Sequence, residues 1–204
     1  MLTYSEIDPA KKAFVFELDN VMFPEKDYQL QVYYLFASFL EYIETFPSAS
    51  DLTAFFKKVY ENHGPELIFE KAKEVFGFDE KYRENFDRLH IEARLPLKLL
   101  LYKEVLTLLQ EIVIDRKEIF IVTEGNPLQQ LNKIKQIEWN GLEKYLRVYF
   151  TEEIAQKPAP DALKHIMEQH KLKVEDVVVF GSSAIDLDFA GNAGVDFVKV
   201  KFTV

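Results

Sequence analysis

The sequence predicts an α/β fold: a doubly wound parallel sheet, Rossmann-like, with an inserted all-helical segment. Three observations predict it. Unbroken apolar, β-favouring runs recur at Phe14-Val15-Phe16, Ile119-Phe120-Ile121-Val122 and Val177-Val178-Val179-Phe180, which marks strands buried on both faces. Amphipathic helical stretches separate these runs, and strands alternating with helices give a parallel sheet covered on both sides. Between the first and second runs, Tyr28 to about Ile91 shows helical periodicity with no strand signal of its own.

Composition narrows the function classes. A chain of 204 residues with 48% hydrophobic content holds one compact domain, or a core with an inserted subdomain. No apolar run approaches the roughly 20 residues that span a bilayer, so no membrane partner is expected. Met1 to Lys12 is a mixture of acids and bases, unlike a secretory signal. Cysteine is absent, which removes disulfides and thiolate chemistry and makes a cytoplasmic location the default expectation. A net charge of −9 without a basic cluster argues against nucleic acid, whose phosphates are bound through Lys and Arg. The oligomeric state is left open.

In order, Ala13 to Phe16 is the first strand. In the insert, Val32, Leu35, Phe36, Phe39, Leu40 and Ile43 recur at three- and four-residue spacing on one helix face. Pro47 ends that helix, and Ser50 or Asp51 can cap the next, which faces inward with Leu52, Phe55, Phe56, Val59 and Tyr60. Gly64-Pro65 breaks it, with Pro65 suited to the first turn of a third helix carrying Leu67, Ile68, Ala72, Val75 and Phe76, which Gly77 stops. A fourth segment carries Tyr82, Phe86 and Leu89. Many of the 18 Phe fall in this insert, and a small bundle needs such rings simply to close its core. Beyond Leu95-Pro96, a helix is predicted over Leu99–Ile112 and a strand over Glu118–Thr123. A helix through Leu128, Leu131 and Ile134 follows, then a strand over Leu146–Phe150 and a helix from Pro160 to about His170. The last strands are Val177–Phe180 and Asp196–Lys201, joined by a helix that runs to Asn192. The boundaries are 1–23 and 95–204 for the α/β core and 24–94 for the insert.

Open parallel sheets bind ligands beyond the carboxyl ends of their strands. Four polar clusters fall there or just downstream: Glu17 and Asp19 after the first strand, Thr123 with Glu124 and Gly125 after the second, Lys157 after the third, and Ser182 with Asp186 after the fourth. Glu17 and Asp19 are two apart, so on a strand they share a side. Each cluster has a bland counterpart; a serine pair after Gly181, for instance, could simply cap a helix. The four histidines have no metal-ligand spacing, Glu152-Glu153 suit a helix start, and Trp139 suits an anchor at the core or domain edge.

Together and in this order, the clusters resemble the haloacid dehalogenase-like (HAD) superfamily over nearly the whole chain. Phe16-Glu17-Leu18-Asp19-Asn20-Val21 is similar to its first motif, Ile121-Val122-Thr123 to the second, and Lys157-Pro158-x-Pro160 to the third. Gly181-Ser182-Ser183-Ala184-Ile185-Asp186, followed by Asn192-Ala193-Gly194, is similar to the fourth. The helical insert is similar to the cap of members that act on small phosphorylated molecules. The resemblance implies phosphoryl transfer of the family's kind, through an aspartyl-phosphate, with Glu17 at the nucleophile position and Asp19 as acid/base. It implies Thr123, Glu124, Gly125, Lys157 and Ser182 around the phosphate, and Mg²⁺ held by Glu17, Asp19 and Asp186. A small phosphorylated metabolite is the implied partner.

Three positions depart from the family pattern. Glu17 stands where the family has Asp, Ser182 where it has a metal-binding Asp, and Glu124 where a neutral residue is usual. A carboxylate displaced by about 1 Å can cost roughly 100-fold in rate, and a hydroxyl is a poor ligand for a hard cation. Three functions stay open: a phosphatase whose activity is weakened or lost, a non-catalytic module that binds a ligand or a protein, and a metal-independent dehalogenase-like hydrolase suggested by Ser182-Ser183.

Overall fold

The structure is a computed structural model that describes residues 3–202. Five strands form one all-parallel sheet: β1 (Ala13–Phe16), β2 (Glu118–Thr123), β3 (Leu146–Phe150), β4 (Val177–Gly181) and β5 (Asp196–Lys199). Their spatial order is β3-β2-β1-β4-β5. The chain therefore builds outward from β1 in one direction and then crosses back to build in the other. That reversal beside β1 makes a crevice at the carboxyl ends of β1 and β4. Phe16 pairs with Ile121 on one side and with Phe180 on the other, so all three strands reach the crevice together.

Alternation sorts the strand residues between two faces. Val15, Phe120, Val122 and Val179 pack with Leu163, Ile166 and Phe189, which come from α7 (Asp161–His170) and α8 (Ala184–Ala193). On the opposite face Phe16 and Phe180 stack, ring centres 4.5 Å apart.

The chain divides into two compact units, one of residues 1–24, 100–130 and 137–204, the other of residues 25–99 and 131–136. The second unit carries α1 (Glu25–Glu44), α2 (Ala49–His63), α3 (Ile68–Phe76) and α4 (Arg83–Glu92). Its interior is aromatic. Phe36 lies 6.1 Å from Phe56, 5.9 Å from Phe69 and 5.1 Å from Phe86, between ring centres, and all four rings are buried. No helix among the described residues is long and apolar enough to cross a membrane.

Several boundaries differ from the sequence expectation. Ser48, not Ser50 or Asp51, caps α2, because its hydroxyl accepts from the Asp51 N–H. Pro65 precedes α3 rather than entering its first turn, and Leu67, outside that helix, is exposed. The helix expected from Leu99 begins only at Lys103, as α5 (Lys103–Ile114). Leu99–Leu100 is extended instead, and the Tyr102 N–H is taken by the Met22 carbonyl at 2.9 Å. A run of leucines carries no cap, so periodicity alone cannot fix where the helix starts. Glu152 and Glu153 sit in a single 3₁₀ turn, and Trp139 is buried.

Candidate functional site

Glu17 is the first residue past β1, and its N–H still reaches the Phe180 carbonyl at 3.0 Å. The turn that follows ends the strand alternation. Asn20 adopts a left-handed φ of 60°, and the Met22 N–H donates to the Leu18 carbonyl at 2.9 Å. Glu17 bonds to Lys157 and Asp19 to Gln130. They lead to two different clusters.

The first cluster centres on Lys157. Its ammonium donates to Glu17 Oε2 and, at 2.7 Å, to Asp186 Oδ1. The lysine side chain is 2% exposed and the two carboxylate side chains 12% and 5%, so the triad is desolvated. Glu17 Oε1 also accepts from the Leu18 N–H at 2.7 Å. Asp186 Oδ2 accepts from the Ser182 and Ser183 N–H groups, both at 3.1 Å, and from the Ser183 hydroxyl at 2.7 Å. The Asp186 N–H returns a bond to Ser183 Oγ, which makes Ser183 the N-cap of α8 in a capping box. Ser183 is thereby accounted for by local structure. Gly181 is required here by close approach, since a Cβ would lie 2.3 Å from that of Asp186.

Electrostatics separate the two carboxylates. Burial pushes Glu17 above the usual carboxylate range, and the Lys157 ammonium only partly opposes it. Burial pushes Asp186 the same way, but Lys157 and the Ser183 donors outweigh it and hold Asp186 below its ordinary value. Lys157 is desolvated too, yet Glu17 and Asp186 raise it above its ordinary value. The lysine stays charged, Asp186 stays ionised, and Glu17 is the member that gains a proton most easily.

The second cluster centres on Gln130, a residue the sequence did not single out. Its side-chain amide lies 2.9 Å from Asp19 Oδ2, 2.7 Å from Thr123 Oγ1 and 3.0 Å from the Glu124 carbonyl. Thr123 is fully buried at the end of β2, and its carbonyl accepts from Thr151 Oγ1 at 3.3 Å. Gly125 takes a φ of 102°, which suits glycine, and Asn126 then caps α6 (Pro127–Gln136) with Oδ1 2.9 Å from the Leu128 N–H. The apolar stripe expected on this helix included Leu128. Leu128 is exposed instead, and Gln130 and Lys133, three apart, are buried. A glutamine seven residues past a strand-ending threonine, at three-residue spacing from a lysine on an otherwise amphipathic helix, is the signal that would have found it.

Other expected participants are placed as follows. Glu124 enters through its main-chain carbonyl, and Ser182 through its N–H. Asn192 donates to the Pro158 carbonyl at 2.9 Å, which ties α8 to the turn carrying Lys157. His90, in the second unit, is edge-on to Tyr33, and burial pushes it below its ordinary value so that it stays neutral.

Among the described residues no three His, Cys, Asp or Glu side chains gather where they could hold a metal ion. Glu17 and Asp186 are both turned onto Lys157, Asp19 is held by Gln130, and Ser182 offers no carboxylate. This arrangement does not fit a hard divalent cation that requires several oxygen ligands in octahedral geometry.

Comparison with known proteins gives the family and the fold. No curated protein matches the chain significantly. Among solved structures, it is similar to a candidate β-phosphoglucomutase from Thermotoga maritima, at 22% identity and TM-score 0.63, over 95% of this chain and 87% of that one. It is also similar to YfnB, a candidate HAD-hydrolase from Bacillus subtilis bound to magnesium, at 16% identity and TM-score 0.62, over 95% and 90%. A candidate phosphoglycolate phosphatase from Lactobacillus delbrueckii matches at 14% identity and TM-score 0.53, over 91% and 84%. The family pattern described as haloacid dehalogenase-like hydrolase matches residues 15–200. With the parallel sheet, its order and the polar residues at its strand ends, this match shows that the chain belongs to the haloacid dehalogenase-like hydrolase family.

Proposed function

We propose that the protein is a phosphatase-type hydrolase of a small phosphorylated metabolite, with turnover reduced by the Glu17 and Ser182 substitutions. One observation carries this: a single buried ammonium, Lys157, sits between Glu17 at the nucleophile position and Asp186 of the fourth motif. In the reaction, the P–O bond to the leaving group breaks as a bond forms between phosphorus and a Glu17 carboxylate oxygen. Asp19 protonates the leaving oxygen, then takes a proton from the water that hydrolyses the acyl-phosphate and frees inorganic phosphate. Lys157 and the Thr123 hydroxyl offset charge on the transferring oxygens. The carboxylate donors are arranged around the lysine rather than around a cation. Phosphatase-like names among the structural neighbours support the substrate class. A cytoplasmic setting goes with this reading, and the cysteine-free composition is compatible with it.

A second reading, a binding module without turnover, is favoured by Ser182, where the metal-binding carboxylate of the family pattern is missing. Hydrolysis of a generic aryl phosphate, with and without Mg²⁺, separates the two. Slow, Mg²⁺-insensitive turnover by wild type and faster, Mg²⁺-dependent turnover by Glu17→Asp/Ser182→Asp are expected. Activity in the double variant alone favours the binding module. No turnover in either, with no thermal stabilisation by Mg²⁺ and a phosphate mimic, overturns the phosphatase reading.

A further inference from the structure

We infer that Gln130 is a positioning residue that aims both the acid/base Asp19 and the phosphate-holding Thr123 through one side-chain amide. The inference rests on the phosphatase reading and deepens it. Gln130 is 2% exposed, and its amide nitrogen faces three oxygens: a carboxylate, a hydroxyl and a carbonyl. The amide cannot be flipped, because its oxygen would then oppose the Asp19 carboxylate and the Glu124 carbonyl, which are acceptors only. Two hydrogens therefore serve three acceptors, and both point into the cluster.

Each contact restricts what its partner can do. Thr123 Oγ1 accepts from Gln130, so its own hydroxyl hydrogen is turned elsewhere and remains to be donated, as a phosphoryl oxygen requires. Asp19 Oδ2 accepts from the Gln130 amide, which fixes the orientation of the carboxyl group that serves the leaving oxygen. The third contact, to the Glu124 carbonyl, ties the loop after β2 to α6. A glutamine that only filled space would not need its amide aimed at two residues that the reaction assigns to different tasks.

The test is the dependence of rate on the leaving group. General acid catalysis matters most when the departing oxygen is a poor alkoxide and least when it is a good phenoxide. Gln130→Met keeps side-chain length and apolar volume while removing the donors. We expect it to lose roughly 10- to 100-fold in kcat on an alkyl phosphate and at least about tenfold less on an aryl phosphate, within the range that a positioned acid supplies. Gln130→Asn, which keeps the amide but withdraws it by one methylene, should fall between Gln130→Met and wild type. Equal losses on both esters, or no loss on either, overturn the inference while the phosphatase reading stands. Wild type that cleaves neither ester overturns that reading and the inference with it. Should Gln130→Met fail to fold, Gln130→Asn supplies the same two-ester comparison.

Discussion

The same four-residue device occurs once in each unit of the molecule. Ser48-Ala49-Ser50-Asp51 opens α2, and Ser183-Ala184-Ile185-Asp186 opens α8. In both, the serine hydroxyl donates to the aspartate Oδ2 at 2.7 Å and accepts from the aspartate N–H at 3.1 Å. They differ locally in one bond, since the Ser183 N–H also donates to Asp186 Oδ2 at 3.1 Å and completes a capping box. Their surroundings differ more: Asp51 lies in solvent, whereas Asp186 is buried and its other oxygen takes the Lys157 ammonium. Sequence-local chemistry makes a cap in both places, and only the sheet topology, which brings Lys157 and Glu17 alongside, turns one of them into part of a site. Stability measurements test this contrast.

The largest effect is expected from removing the lysine. Lys157→Ala leaves Glu17 and Asp186 as uncompensated buried neighbours and should cost about 3–5 kcal/mol in denaturant unfolding. A loss below roughly 1 kcal/mol, as for an exposed pair, would mean the triad is not desolvated. Next come the two aspartates. Asp186→Ala orphans the Ser182 and Ser183 N–H groups as well as part of the Lys157 contact and should cost about 2–3 kcal/mol. Asp51→Ala should cost no more than about 1 kcal/mol, since it removes only an exposed partner of the Ser48 cap. Equal losses would erase the distinction between cap and site. Ser183→Ala and Ser48→Ala should differ in the same direction by less, each within about 0.5–2 kcal/mol.

The smallest effect is a pH dependence. Glu17 has its carboxyl raised in the folded protein, so the fold binds its proton more tightly than the unfolded chain does. Its contribution is favourable below the ordinary carboxylate range and is lost as pH rises through the raised value. Asp186 behaves oppositely, losing its contribution as pH falls below the ordinary range. Glu17→Gln should therefore gain in melting temperature relative to wild type as pH rises from acid toward neutral. A difference that stays constant across that range would contradict the shift.

The comparison also explains what was legible in the sequence. Buried parallel strands announce themselves as unbroken apolar runs, so the strands at Glu118–Thr123 and Val177–Gly181 fall where the sequence predicts them, the second to within one residue. The polar residues that end the strands are the ones the structure gathers, because topology places strand ends together whatever their local conformation. The turn at Asn20 is not legible, since a left-handed asparagine carries little pattern of its own. Ser48 was passed over as the α2 cap because Ser50 and Asp51 carry the same hydrogen-bonding chemistry two and three residues later. Gln130 was hidden for a related reason. Periodicity looks for apolar residues facing inward, and α6 turns an amide and an ammonium inward instead.

The central claim is that phosphoryl transfer proceeds through the carboxylate that Lys157 holds. Acid quenching of the protein during turnover of an aryl phosphate, followed by mass spectrometry of its peptides, tests it most directly. The account predicts a phosphoryl group on the peptide containing Glu17, assigned to that side chain by fragmentation and absent in Glu17→Gln. Continued turnover in Glu17→Gln, or a phosphoryl group found on Asp19 instead, would contradict it.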